Sequence, residues 1–572
     1  MRIHKPWITP GLLKCMRNRD RMSKAAKSTP RNEVLCKTFK RYRNFCNNLL
    51  KKLKNQYEKL LAIDKSPDSS LSYINNFFVN VGKNIAQSIS STASANKYNN
   101  DISSGSNINS LVFHETDELE VEQILNSLRT NCATGHDGIS TDFLKRYKTI
   151  LLRPLQYGFR NSRSTNDAVH DLTNHIVEEL DASKKCVAIF IDLAKAFDTV
   201  SIPRLLYKLE SIGVRGPQLQ LFQSYLTNRK QCVKIGDRTS SELVIEYGVP
   251  QGSILGPTLF LLYVNDMCNI DLPNGKIVAF ADDTALVFSS HSWEDTFRKA
   301  QSGFDKVNSW LLNNSLSLNV DKTKYLAFSI TASGVKCLND HTITAHNHQM
   351  DIDQKCNCPT LSRTDTVKYL GIILDDRLNF KPHIDVLSGR VRKLIFIFKH
   401  LRHVAGPKII KMLYFALAQS LIGYCILTWG GAAKSHLIKL ERAQRALLKV
   451  AYCKPFRYST VELYKTCEVL TVRQLFVLQI VLKKHSESFS STVTNIHRTH
   501  RGRRKKMIPR HAICRTAFSK RFYYFLGSFL YNKFNSFLNI YGLNKYTCKQ
   551  TLTEYLLSKS YIDTEILLHP MT

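Results

Sequence analysis

The chain has 572 residues, 43% of them hydrophobic, which suffices for several packed cores and excludes a wholly disordered or low-complexity protein. Against 46 Asp and Glu stand 81 Lys and Arg, a formal net charge of +35, so the partner to expect is a polyanion, nucleic acid before a membrane surface. Fifteen cysteines, an odd number, with no apolar signal segment in Met1-Arg2-Ile3-His4-Lys5-Pro6, argue for free thiols in an intracellular chain rather than a disulfide framework.

Residues 1–60 hold 17 Lys or Arg against Asp20, Glu33 and Glu58. The spacing predicts a helix over about Asn32 to Leu61, within a basic helical connector over 1–89. Such an arm either lies along a nucleic-acid backbone or is a solvated linker. Residues 90–110, rich in Ser and Asn, predict a flexible linker. A new unit over 111–185 opens with Val121, Ile124, Leu125 and Leu128 at helical spacing, then the glycine-rich turn Ala133 to Gly138. Gln156-Tyr157-Gly158-Phe159-Arg160 follows, and a helix is expected from about Ser164 to Leu180.

Cys186 to Ile191 is a near-continuous apolar run of the kind found in a strand buried on both faces, and it ends on Asp192. An acid there either sits at a ligand-binding strand edge or caps a helix. Helices over Ile202 to Ile212 and Pro217 to Leu226, and strands near Gln231 to Ile235 and Leu243 to Tyr247, lead to Gly248-Val249-Pro250-Gln251-Gly252-Ser253. That turn either lets backbone and a side-chain amide approach a flat ligand or simply caps the helix Leu255 to Met267. Val278 to Phe288 predicts a β-hairpin with Asp282 and Asp283 on its tight turn. Two like charges there call for a hard divalent cation unless the pair is an ordinary polar turn.

A helix over Ser292 to Asn314 carries Phe297, Ala300, Phe304, Val307 and Leu311 on one face, and a strand follows over Tyr325 to Ile330. Thr331 to Thr366 reads as an extended loop; His341, His346, His348, Cys356 and Cys358 lack the spacing of a standard zinc finger. From Lys381 helices dominate. The uncharged stretch Met412 to Ala433 is long enough to cross a bilayer but only moderately hydrophobic, so it is read as a buried helix, with no stable membrane association. Arg501 to Arg521 holds nine basic residues and no acid ahead of Phe522-Tyr523-Tyr524-Phe525. That mixture suits single-stranded nucleic acid or is a solvated loop beside a small core.

Asp192, then Asp282-Asp283 about ninety residues on, in a strongly basic chain, match the needs of two-metal phosphoryl transfer, in which carboxylates from separate elements converge on ions roughly 3.5 to 4 Å apart. The blocks and their order resemble the reverse transcriptases of non-long-terminal-repeat retrotransposons, jockey-like (LINE-type) insect elements above all, from Val121 to about Val450. The resemblance implies an α+β right-hand polymerase: partial fingers over 111–185, a palm with an antiparallel sheet and a primer-grip hairpin over 186–384, a helical thumb over 385–460 and a mainly helical, basic and aromatic region over 461–572.

By resemblance, Phe190-Ile191-Asp192-Leu193-Ala194-Lys195-Ala196-Phe197-Asp198 supplies the metal ligand Asp192 and, in Phe197, the bulky residue that excludes a 2′-hydroxyl. Gln251 and Gly252 would hold the templating base and incoming nucleotide. Phe280-Ala281-Asp282-Asp283 is similar to the polymerase signature, Asp282 a second metal ligand and Asp283 a supporting acid. Lys322 falls where the family places a lysine near the leaving pyrophosphate, and Tyr369, Leu370 and Gly371 in the primer grip. Implied are magnesium or manganese, an RNA template, a DNA primer or target, deoxynucleoside triphosphates, and residence in a cytoplasmic ribonucleoprotein and the nucleus. The endonuclease domain and the long fingers segment expected near Arg153 to Gln156 are missing from the pattern. Target cleavage is therefore not expected, and a remnant that only binds nucleic acid is the alternative reading.

Overall fold

The computed structural model describes residues 67–92, 156–159, 163–235, 237–330, 341–346, 358–490 and 514–568. The expected helix over Asn32 to Leu61, the glycine turn at 133–138, most of the fingers segment and the basic run 501–513 lie outside the described residues. Two compact units emerge, one of residues 1–84 with 224–247, the other of 85–223 with 248–572.

In the first unit the helix Pro67–Thr92 begins, and its first three turns carry a fully buried Asn75 whose amide donates to the carbonyls of Gln231 (3.1 Å) and Ser241 (2.8 Å). Two-residue ladders, Lys230–Gln231 with Leu243–Val244 and Lys234–Ile235 with Arg238–Thr239, replace the longer strands the sequence suggests there. The helix runs on through Ser90, Ser91 and Thr92, the start of the expected linker, because a helical ladder once nucleated propagates through residues of indifferent propensity.

The second unit is built on a five-stranded sheet. Helix α1 (Thr165–Asp181) opens on a capping box in which the Ser164 hydroxyl and the Asp167 carboxylate satisfy each other's backbone amides. Strand β1 (Lys185–Ile191) lies at the centre and is buried along nearly its whole length, as its unbroken apolar run predicts. Helix α2 (Ile202–Ser211) and helix α3 (Leu255–Val264) precede the hairpin of β2 (Gly275–Phe280) and β3 (Asp283–Ser290). Helix α4 (Trp293–Asn313), β4 (Lys324–Phe328) and the short β5 (Ser362–Arg363) complete the layer. The spatial order is β2-β3-β1-β4-β5. The sheet is antiparallel except at its edge, where β4 and β5 run parallel.

Alternation along β1 divides its side chains between two cores. Ala188 and Phe190 join α1 and the helical half of the chain, with Phe190 packed on Tyr369 at 5.4 Å between ring centroids. Val187 pairs with Phe288 on the other side, where α4 presents Gly303 directly against the Phe288 ring. A second hairpin, β6 (Thr366–Tyr369) and β7 (Ile372–Asp375), leads into α5 (Lys381–Leu401).

The uncharged stretch is not one helix. After α6 (Pro407–Leu413) the backbone widens into a π-turn over Tyr414–Gln419, resumes as a helix over Ser420–Gly423, and breaks at Cys425, whose φ is +49°, before α7 (Ile426–Trp429). No described helix is long and apolar enough to cross a membrane. The break persists because the Cys425 amide donates to Asn166 Oδ1 (2.7 Å) and the Trp429 indole to the Tyr424 carbonyl (2.9 Å). Tertiary partners thus override a sequence that reads as continuous helix.

Helices α8 (Lys434–Ala451), α9 (Thr460–Cys467), α10 (Val472–Ser490), α11 (Tyr523–Leu538), α12 (Lys545–Ser558) and α13 (Tyr561–Leu568) close the fold in one core continuous with α1 and α5. Phe522 and Tyr523 are buried in that core and Phe525 packs against it, so these aromatics serve packing and not a stacking platform for bases.

Candidate active site

One end of the sheet gathers the acids. In the β1–β3 ladder the last pair is Ile191 with Thr284, so Asp192 follows directly beyond the end of β1 and Asp283 precedes Thr284 on β3. The Phe280–Asp283 pair closes β2 on β3, leaving Ala281 and Asp282 as a two-residue turn; Asp282 is therefore on the turn, and Asp283 is the first residue of a strand. Primed turns of this length need a positive φ, and Ala281 adopts +56°.

Asp192 is held from behind by the loop that carries Lys322. Its amide donates to Thr323 Oγ1 (3.2 Å), its carbonyl accepts the Asn319 amide (2.9 Å), and Lys322 Nζ stands 3.8 Å from its carboxylate. The carboxyl of Asp283 is pushed up to about 6, first by loss of water around it and then by the charges of Asp282 and Asp192. Crowding of this sort is relieved by a cation. Among the described residues, however, no group of three or more His, Cys, Asp or Glu is arranged to hold a metal by itself. The expected ligand set of Asp192, Asp282 and Asp283 is thus no ready-made cage. The donors suit magnesium, which takes one or two protein carboxylates and completes its shell with substrate phosphates and water.

Beside this cluster, Phe197 stacks on Phe260 of α3 with centroids 4.3 Å apart and planes 23° apart. Its carbonyl accepts the Val249 amide (3.0 Å), tying it to the glycine-proline turn, and the exposed Gln251 donates its amide to Asp198 Oδ1 (2.6 Å). Gly252, also exposed, has a φ of +82°. Asp198 and Gln251 are therefore partners, a pairing that neither local motif reveals. Phe280 is partly buried against the main core.

The β6–β7 turn is made by Leu370 and Gly371, both at positive φ (+44° and +85°), with the Tyr424 hydroxyl donating to the Leu370 carbonyl (2.7 Å). Tyr369 turns inward: its ring is buried and its hydroxyl donates to the Val278 carbonyl on β2 (3.2 Å). What this hairpin presents outward is its turn, not its tyrosine. Further off, the His341 ring stacks on Phe297 (5.0 Å), while His348 and Cys356 lie outside the described residues.

Sequence reasoning left Gln156 without a role. It is buried, bridges in parallel to Ala279, and its Oε1 accepts the Ala281 amide at 3.0 Å. The signal was the Gln-Tyr-Gly block itself; its target lay 125 residues away.

Residues 139–374 match the reverse transcriptase (RNA-dependent DNA polymerase) family. The chain is 29% identical over 355 residues to the probable RNA-directed DNA polymerase from transposon BS of Drosophila melanogaster, covering 60% of this chain and 36% of that protein. To the RNA-directed DNA polymerase from mobile element jockey of Drosophila funebris it is 29% identical over 361 residues, covering 61% and 37%. The chain thus spans little more than a third of these curated relatives. Among solved structures, telomerase from Candida albicans, in complex with a fragment of telomeric RNA, overlaps 61% of this chain and 56% of its own at 13% identity and a TM-score of 0.26, too loosely to bear on the fold.

Proposed function

We propose that this chain is the RNA-directed DNA polymerase of a non-long-terminal-repeat retrotransposon, a reading that the match of residues 139–374 to the reverse transcriptase family supports. The observation that carries the reading is the convergence of Asp192, Asp282 and Asp283 at one end of the sheet, with Lys322 at their side. In this reading 186–384 is the palm, 385–460 the thumb and 111–185 a partial fingers region.

The primer 3′-hydroxyl attacks the α-phosphate of a deoxynucleoside triphosphate and pyrophosphate leaves. Magnesium, or manganese, bound at Asp192 and Asp282 with Asp283 in support would supply activation of the attacking oxygen and neutralisation of the developing charge. Lys322, on the loop held against Asp192, would neutralise the departing pyrophosphate. Phe197, braced by Phe260, closes the space a 2′-hydroxyl would need, and Gln251 with Gly252 offers a polar edge and bare backbone to the nucleotide and template. The +35 charge suits RNA and primer as partners. A cytoplasmic ribonucleoprotein and the nucleus are the corresponding locations.

Primer extension on an RNA template tests the proposal. Asp282→Ala should cut incorporation about a thousandfold, equivalent to about 4 kcal/mol of lost charge stabilisation, with RNA binding retained. If wild type incorporates no more than Asp282→Ala while both retain RNA, the chain is a binding remnant. Phe197→Val should raise ribonucleotide use relative to deoxynucleotide by at least about tenfold in the same assay.

A further inference from the structure

The catalytic turn does not hold itself. Ala281 is a buried residue at φ +56°, a conformation that costs an L-residue energy, and its amide has no partner in the β2–β3 ladder. Gln156 supplies one: its Oε1 accepts from Ala281 N (3.0 Å) and from Gly158 N (2.9 Å), so a single buried side-chain oxygen joins the two backbones. The Tyr157 amide donates to the Ala279 carbonyl (2.8 Å), laying this segment alongside the end of β2.

Position 158 must be glycine for the same reason. A Cβ there would stand 2.5 Å from the Ala281 nitrogen, and since the clashing atom is backbone, the turn itself would have to move. The segment is anchored in its turn by the Tyr157 hydroxyl, which donates to Asp171 Oδ2 (2.9 Å) on α1, while Asp171 pairs with Lys276 of β2 (2.8 Å).

We infer that Gln156 and Gly158 are positioning residues of the polymerase site: they set the backbone of the Ala281-Asp282 turn and so fix where the Asp282 and Asp283 carboxylates stand relative to Asp192. The inference rests on the polymerase reading for its catalytic consequence but not for its geometric one. Outer partners that orient ligands typically matter 10- to 100-fold in metal affinity or activity, and that is the size of effect to seek.

The test uses the full chain as wild type, Gln156→Leu, Gln156→Glu and Gly158→Ala, with Leu172→Ala in the fully buried face of α1 as a control that loosens the core without touching the turn. Three quantities are read: hydrogen exchange at the Ala281 amide, Mn2+ affinity in the absence of nucleotide, and kcat and KM for primer extension. Gln156→Leu and Gly158→Ala should speed Ala281 exchange, weaken Mn2+ binding about 10- to 100-fold and lower kcat in proportion, with KM for template-primer unchanged. Gln156→Glu, which keeps the acceptor, should restore most of the loss. Unchanged exchange and Mn2+ affinity in Gln156→Leu would overturn the inference, as would an equal loss of Mn2+ affinity in Leu172→Ala. If wild type extends no primer while exchange and Mn2+ affinity respond as described, the polymerase reading fails and the positioning role stands.

Discussion

Asp283 carries a charge only reluctantly. With its carboxyl pushed up to about 6, it holds a proton in the folded chain over a pH range where an unfolded aspartate, near 3.9, has lost it. The contribution to stability is complete below about pH 4 and is lost as pH rises through about 6. A divalent cation competes with that proton, so Mn2+ affinity measured by paramagnetic resonance should fall about tenfold between pH 7 and pH 5 in wild type. Asp283→Asn should flatten this dependence. That Asp282 and Asp283 stand together at the end of a hairpin was legible because the motif is local: two acids between strand-forming runs fall at or beside the turn, Asp282 on it and Asp283 opening the strand that follows. The proton affinity of Asp283 was not, since it depends on Asp192 arriving from another strand.

Hairpins and breaks show how elements are held by groups remote in sequence. In the β6–β7 turn, Gly371 at φ +85° would bring a Cβ to 3.3 Å from the Tyr424 ring, so Gly371→Ala should lower stability by about 1 kcal/mol in denaturant unfolding. The break at Cys425 depends on Asn166, the second residue of α1. Asn166→Leu leaves a part-buried amide without its acceptor and should cost about 1 to 3 kcal/mol in the same measurement. Sequence periodicity located the helices α1 and α4 to within a residue at each end. It missed the break because Leu421 to Trp429 holds no proline and its single glycine, Gly423, is a weak stop signal by itself; the interruption is paid for by partners on α1 and on the segment itself.

Across the second unit the C-terminal helices are integral to the fold. Asp181, at the end of α1, accepts from the Arg515 and Thr516 amides (3.1 and 2.9 Å) and from the Thr516 hydroxyl (2.7 Å). Arg473 on α10 donates to Glu565 of α13 (2.9 Å) and to the carbonyls of Gly430 (2.7 Å) and Ala432 (3.1 Å), with both side chains of the ion pair largely buried. Arg473→Met strands Glu565 in the interior and should cost about 3 to 5 kcal/mol, while the double change Arg473→Met with Glu565→Leu should recover most of it in thermal unfolding. Removing residues 514–572 strips from α10 the helices α11, α12 and α13 that pack against it, and the truncated chain should aggregate on expression.

Composition and local pattern carry the strongly basic charge, the central buried strand, the acid hairpin and the order of the blocks, because each is written in neighbouring residues whose chemistry and period are visible one segment at a time. Which face Tyr369 and the Phe522 to Phe525 aromatics take, where the uncharged stretch bends, and what Gln156 does depend on atoms brought together from positions far apart in the chain. Those pairings are set by packing and by the need to satisfy buried amides, and they come into being when the sheet and its helices close around the turn that bears Asp282.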